Sequence, residues 1–320
     1  MTALILGASG MLGSALMRRL PGSIGVCRPL VGTNNRMSIG AQSLYNGKQA
    51  GMINCNLFNV DHIREVFRLY EFTEVYHCAG LVGGITANMN NQYEFLMQNA
   101  KMAINVIDVA KDFELKNLYY ISSSCVYPVN CQQPMKEEYI LSGPPERTNF
   151  GYAMAKLLGM EAAKYAGYST MIPCNLYGPN DNYGAGGHVL ASLVRKVCDA
   201  KRLGISSITV WGDGTARREF LHVDDCADAI VAATKIDSQT TNIGSGVDLS
   251  IAELAHLIAL IAEWDGDIVF DPTMPNGMMR KLLDVSLLNA AGWKQKVTFE
   301  SGIAQMISQY HSNTGKEHNR

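Results

Sequence analysis

Short apolar runs and amphipathic stretches alternate along the first half of this 320-residue chain. The apolar, β-rich runs predict strands at 3–6, 24–27, 51–54, 74–78, 117–122 and 170–173. Between them, apolar residues recur at helical spacing near 11–19, 61–70, 92–112 and 152–166. Strands apolar on both faces, alternating with helices, predict a parallel sheet covered on both sides, a doubly wound α/β fold. After Pro173 the character changes: 175–187 is rich in Asn, Gly and Pro, and 271–279 resembles it. Polar loops of this kind build a smaller substrate lobe over the carboxyl ends of the strands. Residues 218–234 then read as a strand and helix returning to the main sheet, so the two lobes are expected to interleave in sequence.

Composition narrows the class. The length suits one large α/β unit plus a smaller lobe. Hydrophobic residues make up 47% and charged residues 18%, the balance of a compact soluble enzyme. A formal net charge of -2 leaves no basic excess to neutralise a phosphate backbone, which excludes nucleic acid as a bulk partner. The longest apolar stretch, 251–264, is interrupted by Glu253, His256 and Glu263 and is too short to span a bilayer. Residues 2–6 read directly as a strand, so no signal-like leader is expected. Eight cysteines are scattered singly with no C-x-x-C pair, so neither a zinc site nor a disulfide scaffold is expected. The expectation is a cytoplasmic protein with reduced thiols, no metal and no membrane partner.

Candidate chemistry begins at the first strand–helix junction, where G-A-S-G-M-L-G places Gly7, Gly10 and Gly13. Glycines there permit a tight turn, close approach of backbone to a pyrophosphate and helix-on-strand packing, while the helix N-terminus supplies N–H donors. An NAD site places an acid at the end of the second strand to hold the ribose hydroxyls. Here that place holds Cys27 and Arg28, and a cation without an acid suits the 2′-phosphate of NADP(H). Tyr152 and Lys156 form Y-x-x-x-K on one helix face. A phenol of ordinary pKa, about 10, is a slow acid–base catalyst at neutral pH, and a neighbouring ammonium is expected to lower that value. Ser123, at the end of a predicted strand, is placed to hydrogen-bond a carbonyl that Tyr152 protonates. Cys125 lies two residues on, and in an extended segment that period puts both side chains on one side. It reads either as a thiol facing the same substrate or as a small buried hydrophobe.

The G-x-x-G-x-x-G spacing and the Ser–Tyr–Lys set resemble the short-chain dehydrogenase/reductase family. Further blocks resemble its extended GDP-L-fucose synthase members. They are G-L-V-G-G-I-T-A-N from Gly80, S-S-C-V-Y-P from Ser123, Y-A-M-A-K from Tyr152, N-L-Y-G-P-N-D-N-Y from Asn175 and G-H-V-L from Gly187. V-W-G-D-G-T-A-R-R-E-F-L-H-V-D-D from Val210 and R-K-L-L-D from Arg280 complete the series. The resemblance implies a Rossmann-type doubly wound parallel sheet with a smaller α/β substrate-binding lobe. NADP binding falls to 1–173, 217–241 and 281–293, and the GDP-sugar lobe to 174–216, 242–280 and 294–320. The implied reaction is 3,5-epimerisation and NADPH-dependent 4-keto reduction of GDP-4-keto-6-deoxy-D-mannose to GDP-L-fucose.

A C4 ketone acidifies the hydrogens at C3 and C5. By the family pattern Cys125 removes the proton, His188 returns it from the other face, and Ser123 and Tyr152 steady the enolate oxygen. Tyr152 later protonates the C4 oxygen, with Lys156 holding the nicotinamide ribose. The cofactor is expected against Gly7, Ser9, Gly10, Met11, Leu12, Gly13, Arg28, Ala79, Ser122, Lys156, Pro173, Asn175, Leu176 and His188. The sugar nucleotide is expected against Asn175, Lys196, Trp211, Arg218 and Lys281, with the Arg218 fork on the diphosphate. Trp211 reads either as a flank of the guanine or sugar or as core packing, and Lys281 either as a substrate contact or as part of a fold element. His222 reads as structural, and His62, His77, His256, His311 and His318 carry no motif.

Departures from the family pattern bear on the sugar. Cys174 stands where threonine is common, Ala191 where proline follows H-V-L, Met274-Pro275-Asn276-Gly277 where K-P-D-G is common, and Asn56 where an acid is usual. They spare the catalytic set but leave room for another GDP-4-keto sugar, a dideoxyhexose or a heptose. A 4-epimerase or dehydratase with retained NAD has no need of the Cys125/His188 pair, and a non-catalytic NADP sensor is expected to lack Tyr152 or Lys156. Extended members pair two helices from each subunit, so a homodimer through 92–112 and 152–166 is expected.

Overall fold

The structure, a computed structural model, describes residues 2–28, 38–45, 48–184 and 186–317. Four buried apolar residues form β1 (Ala3–Leu6). After it come α1 (Met11–Arg19), β2 (Ile24–Cys27), β3 (Ser38–Tyr45), β4 (Lys48–Asn54), α2 (Val60–Leu69) and β5 (Glu74–His77). α2 begins where the Asn59 side chain accepts from the Asp61 and His62 amides, which satisfies donors that a helix start leaves free. A short α3 (Ile85–Asn90), a long α4 (Gln92–Asp112), β6 (Asn117–Ile121), α5 (Phe150–Tyr165) and β7 (Ser169–Pro173) complete the alternation. Beyond them lie β8 (Asn175–Tyr177), α6 (Val189–Leu203), β9 (Ser207–Trp211), β10 (Arg217–His222), α7 (Val223–Ala233) and β11 (Thr240–Ile243). The chain finishes with β12 (Asp248–Ser250), α8 (Ile251–Ile261), β13 (Asp267–Asp271), β14 (Arg280–Lys281), α9 (Ser286–Ala290) and α10 (Phe299–Glu317).

One sheet runs β11-β7-β6-β5-β1-β2-β4-β3. It is parallel except at its edge, where β3 is antiparallel to β4. The chain winds outward in both directions from β1, so the connections leaving β1 and β5 diverge and open a crevice at their carboxyl ends, the switch point where this architecture binds ligands. The doubly wound α/β expectation holds. A second apolar cluster joins α6, α8 and α10 through Val194, Leu254, Ile258, Ile303 and Met306. Beside it β8, β10, β12 and β14 form a small sheet, and β9 pairs with β13.

Two strands of the main sheet went unpredicted. β3 reads S-I-G-A-Q-S-L-Y and β11 reads T-T-N-I, so neither carries the continuous apolar run of its neighbours. The strand expected to return to the main sheet forms as β10 but joins the small sheet instead, pairing with β8, β12 and β14. The place beside β7 is taken by β11. Helix α7 does dock on the main body, where Asp224 and Asp228 accept from Arg18 at 2.5 Å and Arg19 at 2.6 Å. On β10, the fully buried Glu219 accepts from the amides of Leu283 at 2.9 Å and Gly246 at 2.7 Å. It thereby ties β14 to the loop after β11, and burial pushes its carboxyl up to about 7. Among the described residues no helix is long and apolar enough to cross a membrane.

Candidate active site

The residues that follow β1, β5, β6 and β7 line a cleft of about 1000 Å³ whose other wall comes from α6, β9, β10 and the segment before β14. Every candidate residue named from the sequence lines it.

At one end the cleft meets α1, which starts at Gly10 with no side-chain cap and no acid in its first turn. A Cβ on Gly13 would run into the Gly7 carbonyl, so glycine alone lets the helix sit on this turn. Ser9, Met11, Leu12, Ala79, Pro173 and Leu176 border the same space. At the end of β2, Cys27 donates to the Asn54 side-chain oxygen at 3.0 Å, and Arg28 stands exposed in the cleft lining. The buried Ser122 hydroxyl has no protein partner. A glycine cradle at a helix start, a cation without an acid, and an orphaned hydroxyl fit a dinucleotide carrying a 2′-phosphate.

The centre of the cleft is built where β6 ends. Ser123 is followed by a single 3-10 turn, Ser124–Val126, and its Oγ accepts from the Cys125 amide at 3.3 Å. The segment is therefore not extended as expected. The serine competes for a backbone amide and turns the chain, and Cys125 reaches the cleft by that turn rather than by strand alternation. Its Sγ accepts from Asn149 Nδ2 at 3.0 Å and from Lys281 Nζ at 3.3 Å. Burial pushes the thiol up, but the Lys281 ammonium and the hydrogen bonds from Ser123, Lys281 and Asn149 outweigh it and leave the pKa below the ordinary thiol value.

Tyr152 and Lys156 sit in α5. Lys156 is 4% exposed, donates from Nζ to the Ile121 carbonyl at 2.8 Å, and lies 5.8 Å from the centre of the Tyr152 ring. Burial lowers its pKa to about 8, with the Cys78 and Cys125 thiols opposing. The expected depression of the phenol is not found. Burial raises Tyr152, the neighbouring Cys125 adds to the rise, and only the hydrogen bond with Ser123 opposes it. The ammonium is engaged with a backbone carbonyl, so it does little for a phenolate. A phenol held neutral suits donation of a proton to a ketone oxygen.

His188 stands just before α6, and the G-L-V-G-G block explains how it is held. Gly84 donates its amide to the Gly186 carbonyl at 2.9 Å, and a Cβ on Gly84 would lie 2.5 Å from the Gly187 carbonyl oxygen. Asn88 grips the Gly83 and Gly84 carbonyls at 2.7 and 3.1 Å, and Asn99 clamps both backbone groups of Leu81. The block that marks the family in the sequence is physically a prop for the backbone that carries His188. The ring is open to cleft water, yet the surrounding protein and then the Lys281 charge hold its pKa below the ordinary imidazole value.

Toward the other end, Asn175 donates to the Glu219 carbonyl at 2.7 Å and Lys196 to the Thr209 carbonyl at 2.6 Å. Arg218 donates to the carbonyls of Arg217 at 2.8 Å and Asn276 at 3.1 Å. Trp211 is 45% exposed on the cleft wall, which removes its core reading. Lys281 is neither remote from the chemistry nor merely a fold element, since its ammonium lies on the Cys125 sulfur. Sequence reasoning gives no sign of Asn149, which stands at the N-cap of α5 three residues before Tyr152. His222 is buried and bonds Gln305 at 2.9 Å, as a structural residue would. His77 is buried against Tyr120, and His318 lies outside the described residues. Among the described residues no group of three or more His, Cys, Asp or Glu is placed to hold a metal ion.

The model of the NAD dependent epimerase/dehydratase family matches residues 3–244. A GDP-L-colitose synthase of Yersinia pseudotuberculosis is 39% identical over 262 residues, 78% of this chain and 85% of the relative. A GDP-L-fucose synthase of Azorhizobium caulinodans is 37% identical over 293 residues, 88% of this chain and 94% of the relative. Among solved structures, a GDP-mannoheptose C4 reductase of Campylobacter jejuni with NADP bound is 25% identical with a TM-score of 0.78, covering 97% of this chain and 98% of that one.

Proposed function

The chain belongs to the NAD dependent epimerase/dehydratase family and to the GDP-L-fucose synthase group within it, and we propose that it converts GDP-4-keto-6-deoxy-D-mannose to GDP-L-fucose. The observation that carries this reading is an activated thiol, Cys125, sharing one cleft with His188 and with the Ser123–Tyr152–Lys156 set. A plain 4-keto reductase has no use for such a thiol.

The cofactor is NADP(H), and when bound it supplies the hydride for C4. The turn from Gly7 to Gly13 and the start of α1 would hold the pyrophosphate, Arg28 the 2′-phosphate, and Lys156 the nicotinamide ribose. Ser9, Met11, Leu12, Ala79, Ser122, Pro173, Asn175, Leu176 and His188 would complete that site. Arg218 would take the substrate diphosphate, with Lys196, Trp211 and Asn175 along the nucleotide and sugar.

In the epimerase half, the Cys125 thiolate takes a hydrogen next to the C4 ketone as a proton. The C–H electron pair moves into an enolate, whose oxygen Ser123 and Tyr152 stabilise. His188 returns a proton to the opposite face. Each inversion leaves the thiol protonated and the imidazole one proton short, and exchange with water resets both. The imidazole is held neutral by its surroundings, so it must be charged once substrate is present; the diphosphate's negative charge acts in that direction. In the reductase half, Tyr152 gives its phenolic proton to the C4 oxygen, and the hydrogen bond from Ser123 steadies the phenolate left behind.

The colitose synthase relative favours one second reading, a GDP-4-keto-dideoxyhexose as substrate. A sugar without oxygen at C3 has no stereocentre there, so one inversion, at C5, suffices. Cys174 and the 275–277 segment line the cleft and are the departures that bear on this choice. The test is a comparison of kcat/KM with NADPH on the 6-deoxy and the 3,6-dideoxy ketones. A preference for the first supports GDP-L-fucose synthesis, and a tenfold preference for the second replaces it.

A homodimer is supported by α4 and α5, which pack on one another and expose Tyr93, Ile104, Met154, Leu158 and Tyr165. Light scattering at twice the chain mass is the expected result. Eight free thiols accord with a cytoplasmic setting. The NADP and GDP-sugar lobes are assigned as expected from the sequence except that β10 and β14 go with the GDP-sugar lobe, whose small sheet they form, and all of β11 goes with the NADP lobe.

A further inference from the structure

We propose that Lys281 is the positioning residue that holds Cys125 as a thiolate, with Asn149 completing its cradle. The inference rests on the reading of Cys125 as the group that removes the substrate proton, and it assigns Lys281 to the base instead of to the nucleotide.

The two donors reach the sulfur from elements far apart in sequence, Lys281 from β14 and Asn149 from the start of α5, at 3.3 and 3.0 Å. β14 is only two residues long, yet its position is fixed on every side. Lys281 pairs with Arg218 in parallel register on β10, and Arg280 donates to Asp248 at 2.5 Å. The amide of Leu282 donates to Gln133 at 3.0 Å, and that of Leu283 to the buried Glu219 at 2.9 Å. Strand alternation then turns Leu282 into the core, at 8% exposed, and Lys281 toward the cleft. An ammonium anchored this firmly is a fixed charge rather than a mobile surface lysine.

The other groups facing the thiol do not replace it. Arg218 on β10 donates to two backbone carbonyls and faces Glu146, and Lys156 on α5 donates to the Ile121 carbonyl. Tyr152 is held neutral. Lys281 alone among these cations has a hydrogen bond to the sulfur. A contacting ammonium favours the anionic sulfur, and only the anion abstracts a proton or attacks a carbon electrophile. The same charge also opposes protonation of His188, so one lysine biases both members of the acid–base pair toward their deprotonated forms.

The experiment is the pH profile of Cys125 alkylation by iodoacetamide, on the full chain without substrate. The label is localised by fragmentation to separate Cys125 from Cys131. In K281M the rate at neutral pH is expected to fall about tenfold or more and the midpoint to move up, since thiolate fraction falls tenfold per unit. K281R should restore most of the rate, and N149A should shift the profile in the same direction by less. NADPH affinity should stay within a few-fold of wild type in all three. An unshifted midpoint in a K281M protein that melts cooperatively overturns the proposal. Should K281M fail to fold, an unshifted midpoint in both K281Q and N149A overturns it. Alkylation needs no sugar nucleotide, so the two readings fail separately. A thiol that depends on Lys281 in an enzyme that exchanges no substrate hydrogen sinks the proposed reaction alone. Hydrogen exchange with an unshifted K281M profile sinks this inference alone.

Discussion

Replacing Gly84 with alanine tests how the His188 backbone is held without touching a reacting group. Gly84 has φ -68° and ψ -179°, a conformation that alanine adopts freely, so the substitution brings no backbone strain of its own. Its new methyl would lie 2.5 Å from the Gly187 carbonyl oxygen, whereas ordinary contact begins at 3.4 Å. The two segments must separate by roughly 1 Å, and the 2.9 Å bond from Gly84 to Gly186 stretches with them. α6 is anchored by the buried Leu190, Leu193 and Val194, so the displacement falls on 186–188. A misplacement of about 1 Å at a catalytic group costs roughly a hundredfold in rate, about 2.7 kcal/mol. Formation of the epimerised product, followed by NMR of the sugar ring protons, should therefore fall about a hundredfold. The alkylation rate of Cys125 should remain near wild type. An intact, folded G84A enzyme that makes epimerised product within threefold of wild type would refute the account of this loop.

Other outcomes follow from the same geometry. Tyr152→Phe removes the proton donor and should slow NADPH oxidation by about 10²–10⁴-fold while leaving NADPH binding nearly unchanged; fluorescence titration and steady-state kinetics check both. Arg28→Glu places an acid where ribose hydroxyls are held in NAD enzymes, and the NADPH-over-NADH ratio of kcat/KM should drop by about tenfold or more. Glu219 keeps its proton up to about pH 7 in the native protein but loses it at about 4.3 in the unfolded chain. The native state therefore binds the extra proton in that window, and stability falls as pH rises through it. Melting temperature should decline between about pH 5 and about pH 8 more steeply in wild type than in Glu219→Gln; parallel or inverted slopes would remove this carboxyl as the cause.

The main sheet was legible because its inner strands are buried on both faces and so leave continuous apolar runs, as in Ala3–Leu6 and Asn117–Ile121. β3 and β11 lie at the two ends of the strand order and carry no continuous apolar run; in β11 the buried Asn242 is instead held by Tyr127 and the Met135 carbonyl, which periodicity does not reveal. Residues tied to one element by fixed spacing, such as Tyr152 and Lys156, were visible directly. Cys125 and Lys281 are not joined by spacing. Their contact is made by the pairing of β14 with β10 and by a 3-10 turn that the alternation rule reads as a strand. The charge state of Tyr152 was also beyond reach. It depends on burial and on where the Lys156 ammonium points, and neither is encoded in Y-x-x-x-K.

The most direct test of the central claim is to incubate the protein with NADPH and GDP-4-keto-6-deoxy-D-mannose in D₂O and locate deuterium in the product by NMR. The account predicts NADPH consumption with deuterium at both C3 and C5, and loss of both labels in Cys125→Ser. Consumption of NADPH with neither carbon labelled would contradict it, and would leave a 4-keto reductase whose activated thiol serves some other purpose.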